Sequence, residues 1–459
     1  MFNTVSFHSV ITVHASGLTT SSNFRTRALR TQHRKCVMIA LIVLTPSVTV
    51  AQTEARSATR VLTKCQLTRW SKATPLRSDR TAESIAVRFP SIASTAKALF
   101  VAGNSLSLQG EMAVTSPALI ALEQGEGAIG QPPGTFSFSF PRIAIDQRGN
   151  LQALWGEPEM AQVKSGMGVL RHIRSIWTAS YDVKGRVWSA PTRLFESSLF
   201  SLTWSPRGET IRSDEHESLY LDVLLPLPDT KEDIVAGRLA SSLVRLRFDA
   251  DGWHTTKVTL PGRAVEASTA RGNGYTYIAY IGPSTHGGHE NSVHFARSAD
   301  DGMTWASAHL IGASTDVTPA NFLTLLRGHD GAIHINWRQA TSQGANVLRH
   351  VTSHDDGTTW SAPHDLSPGA RSGGEVYAVD LCGRVHVAFD AVGPDDVPRI
   401  THSIWNGQWS SPSVPFPTLG SVDAGLARGH DGRILMTFVG WPLKGQRQVE
   451  QSWITELSK

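Results

Sequence analysis

Ser298-Ala-Asp-Asp-Gly-Met-Thr-Trp305 and Ser353-His-Asp-Asp-Gly-Thr-Thr-Trp360 decide how this chain is read. Both octets fit Ser-x-Asp-x-Gly-x-Thr-Trp, and both follow a short apolar run. They lie about 55 residues apart, a spacing expected where one four-stranded unit repeats around an axis. The carboxylates of Asp300 and Asp355 can accept hydrogen bonds from nearby backbone N–H groups and hold a turn. Gly302 and Gly357 admit a positive φ. Trp305 and Trp360 can pack large rings beneath the turn.

Working outward, each octet is one half of a longer unit. Upstream comes a strand, a glycine turn and a second strand ending in an aromatic. Copies run over Pro141–Trp155, Ala270–Tyr280, Leu326–Trp337, Val379–Phe389 and Ala427–Phe438. The strand after each turn alternates with period two, as a strand buried on one face should. Degenerate versions of the octet stand at Ser180–Trp188, Phe248–Trp253 and Ser403–Trp409. Six units result, roughly 140–194, 199–262, 263–312, 317–367, 373–415 and 421–459. The last holds three strands, and a strand within Ala98–Gly103 or Ala118–Leu122 could complete it and close the ring, removing exposed sheet edges. A seventh unit exists if 83–130 forms its own sheet. The pattern therefore predicts an all-β, six-bladed β-propeller of four-stranded antiparallel blades over 83–459, with seven blades possible.

Composition agrees: glycine and proline are plentiful, and charged residues make up 18% of the chain. The net charge of +4 is concentrated near the N-terminus, where Arg25, Arg27, Arg30, Arg34 and Lys35 precede any acidic residue. An apolar run from Cys36 to Val50, broken by Pro46, then leads to small residues at Thr49 and Ala51. That order reads as a secretory leader, 1–51, cleaved near Ala51. Its loss leaves 38 basic residues against 39 acidic, so a nucleic-acid partner has no electrostatic support. The expected location is secreted or periplasmic, with no integral membrane segment in the mature chain. Residues 52–82 are polar and rich in Ser, Thr and Arg, and read as a poorly ordered lead-in. Cys65 and Cys382 could pair in an oxidising compartment or remain two buried thiols. No metal spacing appears: His286–Glu290 (H-G-G-H-E) lacks further ligands, and no cofactor is indicated.

The octets resemble the Asp-box (BNR) repeats of the sialidase (neuraminidase) superfamily, and the resemblance extends from Phe140 to the C-terminus. In that family the boxes occupy the turn between third and fourth strands, on the face away from the active site. The resemblance thus implies a structural role for Ser298, Asp300, Gly302, Trp305, Ser353, Asp355, Gly357 and Trp360. Two R-G-H-D-G segments, Arg327–Gly331 and Arg428–Gly432, fall in the turns between first and second strands and are expected to serve as turns.

Sialidases use an arginine triad for the substrate carboxylate, a tyrosine nucleophile activated by a glutamate, and an aspartate acid/base. The resemblance points to Tyr377 with Glu266 or Glu375 as the nucleophile pair. Arg142, Arg338, Arg371 and Asp423 are the substrate-binding candidates. The family's Phe/Tyr-Arg-Ile-Pro is absent, however. Phe140-Pro141-Arg142-Ile143 offsets the arginine by one position, which turns it to the opposite face unless a bulge compensates. The reading therefore favours a non-catalytic module that binds a glycan or protein partner through the face opposite the boxes. The alternative is an exo-acting, sialidase-like glycoside hydrolase with a divergent active site.

Overall fold

A computed structural model describes residues 69–76, 87–109, 112–122, 132, 139–159, 172–196, 211–213, 218–226, 240–283, 291–312, 321–340, 346–369, 373–443 and 451–458. Every regular element among them is a strand, and every pairing is antiparallel. β1 (Arg69–Trp70) and β2 (Thr74–Pro75) precede a three-stranded sheet of β3 (Val87–Ser94), β4 (Leu99–Gln109) and β5 (Met112–Leu122). The second sheet holds β6 (Ser139–Ile145), β7 (Leu151–Glu159), β8 (His172–Asp182), β9 (Val187–Trp188) and β10 (Thr192–Glu196). The third holds β11 (Arg212–Ser213), β12 (Leu219–Pro226), β13 (Ala240–Asp249) and β14 (Gly252–Ala264). The fourth has β15 (Glu266–Gly272), β16 (Tyr275–Pro283), β17 (Asn291–Ser298) and β18 (His309–Gly312). The fifth has β19 (Asn321–Arg327), β20 (Ile333–Ala340), β21 (Asn346–Ser353) and β22 (His364–Gly369). β23 (Gly373–Val379), β24 (Val385–Val392) and β25 (Pro398–Trp405) form the sixth. The seventh joins β26 (Leu419–Arg428), β27 (Ile434–Pro442) and β28 (Gln451–Ser458) to β1 and β2, which both pair with β28.

This arrangement has the all-β, up-and-down character of a β-propeller-like fold, and it departs from the sequence reading at the N-terminal side. Residues 87–122 pair among themselves rather than completing the last unit, so they meet the condition set for a seventh. The strand that completes the C-terminal sheet comes instead from the lead-in. Ala73 and Leu76 are buried there, and Trp70 packs against Phe438's cluster, so apolar side chains anchor a segment whose overall composition is polar. In the weak second unit, Leu199–Trp204 lies outside the described residues, and the leading strand is β11.

The hydrophobic core lies between successive sheets. Tyr277, Ala279 and Phe295 of the fourth sheet interleave with Leu325, Ile335 and Trp337 of the fifth, all essentially inaccessible to solvent. The other junctions repeat this. Phe100 meets Trp155, Leu154 meets Val244, Leu243 meets Ile278, and Leu348 meets Phe389, each within one apolar cluster. Burying each such side chain contributes about 1.5–3 kcal/mol.

Both octets lie between third and fourth strands, one after β17 and one after β21. In each, the serine hydroxyl donates to the aspartate (2.6 and 2.8 Å) and accepts the glycine N–H (2.7 and 2.9 Å). The aspartate's first oxygen accepts the threonine N–H at 2.8 Å in both, and its second accepts the threonine hydroxyl at 2.6 Å. Those hydroxyl and amide donors hold the Asp300 and Asp355 carboxyls down to about 2. Gly302 and Gly357 have φ of +89° and +81°, and a Cβ on Gly357 would stand 2.1 Å from Phe295.

The octets also tie each sheet to the one before it. Trp305 Nε1 donates to Thr259 O of β14 at 2.7 Å, and the Trp360 ring meets Phe295 of β17 edge-on at 4.9 Å. The residue after each aspartate reaches the same way. Asp301 accepts from Arg245 of β13 at 2.7 Å, and Asp356 accepts from the Tyr277 hydroxyl of β16 at 2.6 Å. The two R-G-H-D-G segments are tight turns, with Gly331 N–H to Gly328 O at 3.1 Å and Gly432 N–H to Gly429 O at 2.9 Å. His329 and His430 are exposed on them.

Candidate functional site

Register fixes which end of the sheets carries the candidate residues. Ser298 lies opposite Thr276 and Ser353 opposite Ile333, so the octets sit at the end where first and second strands turn. Glu266 pairs with Ile281 and Arg338 with Asn321, at the other end. Glu375, Asp423 and Arg142 lie toward the starts of β23, β26 and β6, at that same end.

Five leading strands break register near that end: between Arg88 and Ser91, Ser139 and Arg142, Asn321 and Thr324, Gly373 and Val376, and Val422 and Gly425. An extra residue in one strand re-aims its side chains and interrupts the ladder. One of these irregularities, in β6, falls between Ser139 and Arg142, where a bulge was the condition for the offset arginine. Arg142 is buried, and its Nη1 donates to Pro141 O at 3.3 Å. At the β19 and β26 bulges, Phe322 and Asp423 adopt φ of +54° and +53°.

Glu266, Arg338, Glu375 and Tyr377 come together around the β19 bulge. The Arg338 guanidinium donates to Glu375 through Nε at 2.6 Å and through Nη2 to both carboxylate oxygens. Its Cζ lies 4.3 Å from the Phe322 ring centroid. Glu375 is fully enclosed and Arg338 nearly so. Glu266 accepts the Leu323 N–H at 2.7 Å, which holds the bulged backbone. Burial pushes the Glu266 carboxyl up to about 7, against the pull of the Leu323 and Phe322 amides and of Arg338. The Tyr377 ring is partly exposed, but its hydroxyl is enclosed and has no hydrogen-bond partner. Burial, and then the Glu375 charge, pushes that hydroxyl well above its ordinary value.

Chemically, the cluster satisfies itself. Glu375 occupies the Nε and Nη2 donors of Arg338, so a second carboxylate would have to use Nη1 and the remaining N–H of Nη2. A tyrosine needs ionisation or a base within reach to attack, and Tyr377 Oη is hydrogen-bonded to no base among the described residues. Glu266 alone has the proton affinity of a general acid or base. Asp423 and Arg142 stand on other sheets, β26 and β6, while Arg371 and the His286–Glu290 loop lie outside the described residues. Among the described residues no group of three or more His, Cys, Asp and Glu is placed to hold a metal, and no helix is long and apolar enough to cross a membrane.

Two contributors were not read from sequence. Phe322, at the β19 bulge, stacks on the Arg338 guanidinium and has no motif to mark it. Arg212, on two-residue β11, donates to Ser268 Oγ at 3.0 Å and to the carbonyls of Thr269 and Leu325, joining three successive sheets. A strand that short leaves no periodic signal.

Because folding holds Glu266 protonated above its unfolded value, the fold loses stability as pH rises from the ordinary carboxyl range toward 7. Glu266→Gln cannot ionise and still presents an acceptor to Leu323. Its melting temperature relative to the unsubstituted protein is expected to rise between pH 5 and pH 8. A difference independent of pH would mean that Glu266 is already ionised in the fold.

No protein-family model matches the chain, and no curated protein matches it. Solved structures do. A protein of unknown function from Dyadobacter fermentans is similar at 12% identity and TM-score 0.47, over 85% of this chain and 98% of its own. An ulvan lyase of a polysaccharide lyase family is similar at 12% identity and TM-score 0.49, over 83% and 95%. The NanB sialidase from Streptococcus pneumoniae is similar at 11% identity and TM-score 0.43, over 79% and 83%. These are distant likenesses of chain path.

Proposed function

We propose that the chain is an exported, non-catalytic β-propeller that binds a glycan or protein partner through the face opposite the octets. The observation that carries this reading is Arg338 already paired with Glu375 beside a Tyr377 hydroxyl whose proton affinity is raised well above its ordinary value. Both weigh against Arg338 and Tyr377 serving as carboxylate clamp and nucleophile of a sialidase. Bulged strand starts set a row of polar side chains on a rigid scaffold, the placement recognition residues favour. The sequence reading of six blades, with seven possible, is drawn toward seven by the seven sheets, and the contacts of β26 with β3 and of β3 with β6 support a ring in which β1 and β2 complete the last blade. The leader before Ala51 supports export.

The test is turnover of a fluorogenic α-sialoside and a panel of 4-nitrophenyl glycosides, run beside glycan-array and pull-down binding. Binding without turnover is expected. Turnover that Tyr377→Phe abolishes would overturn the reading. A second reading, an exo-acting glycoside hydrolase, is favoured by Glu266 alone, whose carboxyl near 7 suits a general acid. It requires turnover with a pH profile that Glu266→Gln removes.

A further inference from the structure

Sheets five and six each hide a stacked histidine pair: His334 with His350 and His386 with His402, all buried. The second pair belongs to a longer chain of contacts. Trp70 Nε1 donates to His402 Nδ1 at 3.3 Å. His402 Nε2 lies 3.2 Å from His386 Nδ1, and His386 Nε2 lies 3.2 Å from Asp380 Oδ2. An indole N–H can only donate, so His402 Nδ1 must be the bare nitrogen. His402 then carries its proton on Nε2 and donates to His386. His386 carries its own on Nε2 and donates to the carboxylate. One proton arrangement satisfies every contact with both rings neutral, and each bare nitrogen is already occupied. Neither ring can take a proton without losing a hydrogen bond.

The last link holds the N-terminal arm. β1 pairs only with Ser458 and Leu457, and β2 only with Ile454 and Trp453. Beyond those ladders the arm has Ser71 against Thr455 and Glu456, the buried Ala73 and Leu76, and the Trp70 ring standing edge-on to His402 at 5.0 Å. The geometry points to an acid-sensitive latch: protonation of His402 breaks the Asp380–His386–His402–Trp70 chain and releases the arm, 69–76, from β28.

The groups facing the chain place the change at His402. His386 is its titratable neighbour, and Trp70 faces it from the arm. Asp380 is faced by His386, by Arg384 on its own turn and by Arg428 of β26. The Asp330 carboxylate of the fifth sheet lies against Gly383 on that turn. Burial opposes the Asp380 charge, but the His386 and Arg384 contacts outweigh it and hold the carboxyl down to about 2, so it stays ionised. Burial lowers His402 to about 3 while the arm is docked. Once the arm leaves, His402 loses the Trp70 contact and its proton affinity rises toward the ordinary range. The released form therefore binds the extra proton, and docking weakens as pH falls, by at most about tenfold per pH unit. Cys382, on the same turn, is disulfide-bonded.

Hydrogen exchange of the whole protein tests this, with rates corrected for intrinsic pH dependence. Amides of 69–76 are expected to lose up to about 50-fold of protection between pH 6.5 and 4.5 while those of β27 keep theirs. His402→Gln offers an acceptor to Trp70 and a donor to His386 but does not titrate, so the loss should flatten. If that variant does not fold, Trp70→Phe is expected to lower arm protection already at pH 7. Arm protection that is independent of pH, that falls in step with β27, or that survives Trp70→Phe unchanged would overturn the latch.

Discussion

Arg245→Leu is expected to cost about 3–5 kcal/mol, the range for stranding one member of a buried ion pair. Arg245 and Asp222 are almost fully enclosed, and the guanidinium grips the carboxylate at 2.9 and 2.8 Å. It also donates to Asp301 of the first octet, so one side chain joins two strands of the third sheet to the corner of the fourth. Burial opposes the Arg245 charge, but Asp222 more than compensates and holds the guanidinium's proton affinity above its ordinary value. Asp222 has no such reserve once Arg245 is gone, while half-exposed Asp301 keeps Arg271 and water. The double variant Arg245→Leu/Asp222→Leu removes the orphaned charge and should recover most of the loss, since apolar replacement of a buried pair is often neutral. Urea unfolding of the three proteins decides the matter. A double variant as unstable as the single would show that packing against the octet, rather than charge burial, sets the cost.

That junction also shows what was legible in the chain. The octets could be read because their hydrogen bonds close within eight residues, so the pattern contains its own partners. The turn aspartates are equally local: Asp146 and Asp380 each accept the N–H groups two and four residues on. Nothing in the octet announces that its fourth residue, Asp301 or Asp356, reaches the preceding sheet, because that contact is set by how neighbouring sheets stack. The arm was hidden for a related reason. A two-residue strand has no period, and its partners lie more than 380 residues away. The histidine pairs did leave a signal, since both are 16 residues apart at matching places in consecutive units.

The candidate site was legible by position but not by state. Strand-start and strand-end logic expected Glu266, Arg338 and Glu375 at one end; the register sets Glu266 opposite Ile281 and Arg338 opposite Asn321, and Glu375 is third in β23. The residue types implied an arginine open to a ligand. Sequence could not show Glu375 arriving first, because the β23 bulge that aims it is one residue of slack in an otherwise regular strand.

Glu375→Gln therefore carries the largest functional consequence. Removing that charge leaves Arg338 enclosed with one partner fewer, and a cost of about 3–5 kcal/mol is expected if nothing else responds. Something else can respond. Glu266 already feels Arg338, and the Glu375 charge is one of the influences holding its proton on. With Glu375 neutral, both changes favour ionisation of Glu266, so the penalty should be smaller at pH 8 than at pH 5. The Phe322 ring keeps the guanidinium in place by its face, which leaves the in-plane N–H groups to point outward. The substituted amide fills the same space without the charge, so a carboxylate ligand would approach Arg338 without repulsion from Glu375. Titration with N-acetylneuraminic acid, followed by calorimetry or line broadening, should detect binding to Glu375→Gln and none to the unsubstituted protein, with no hydrolysis of a sialoside by either. Equal binding by both would mean that the Arg338–Glu375 pair does not close the site, and the case for a non-catalytic propeller would lose its main support.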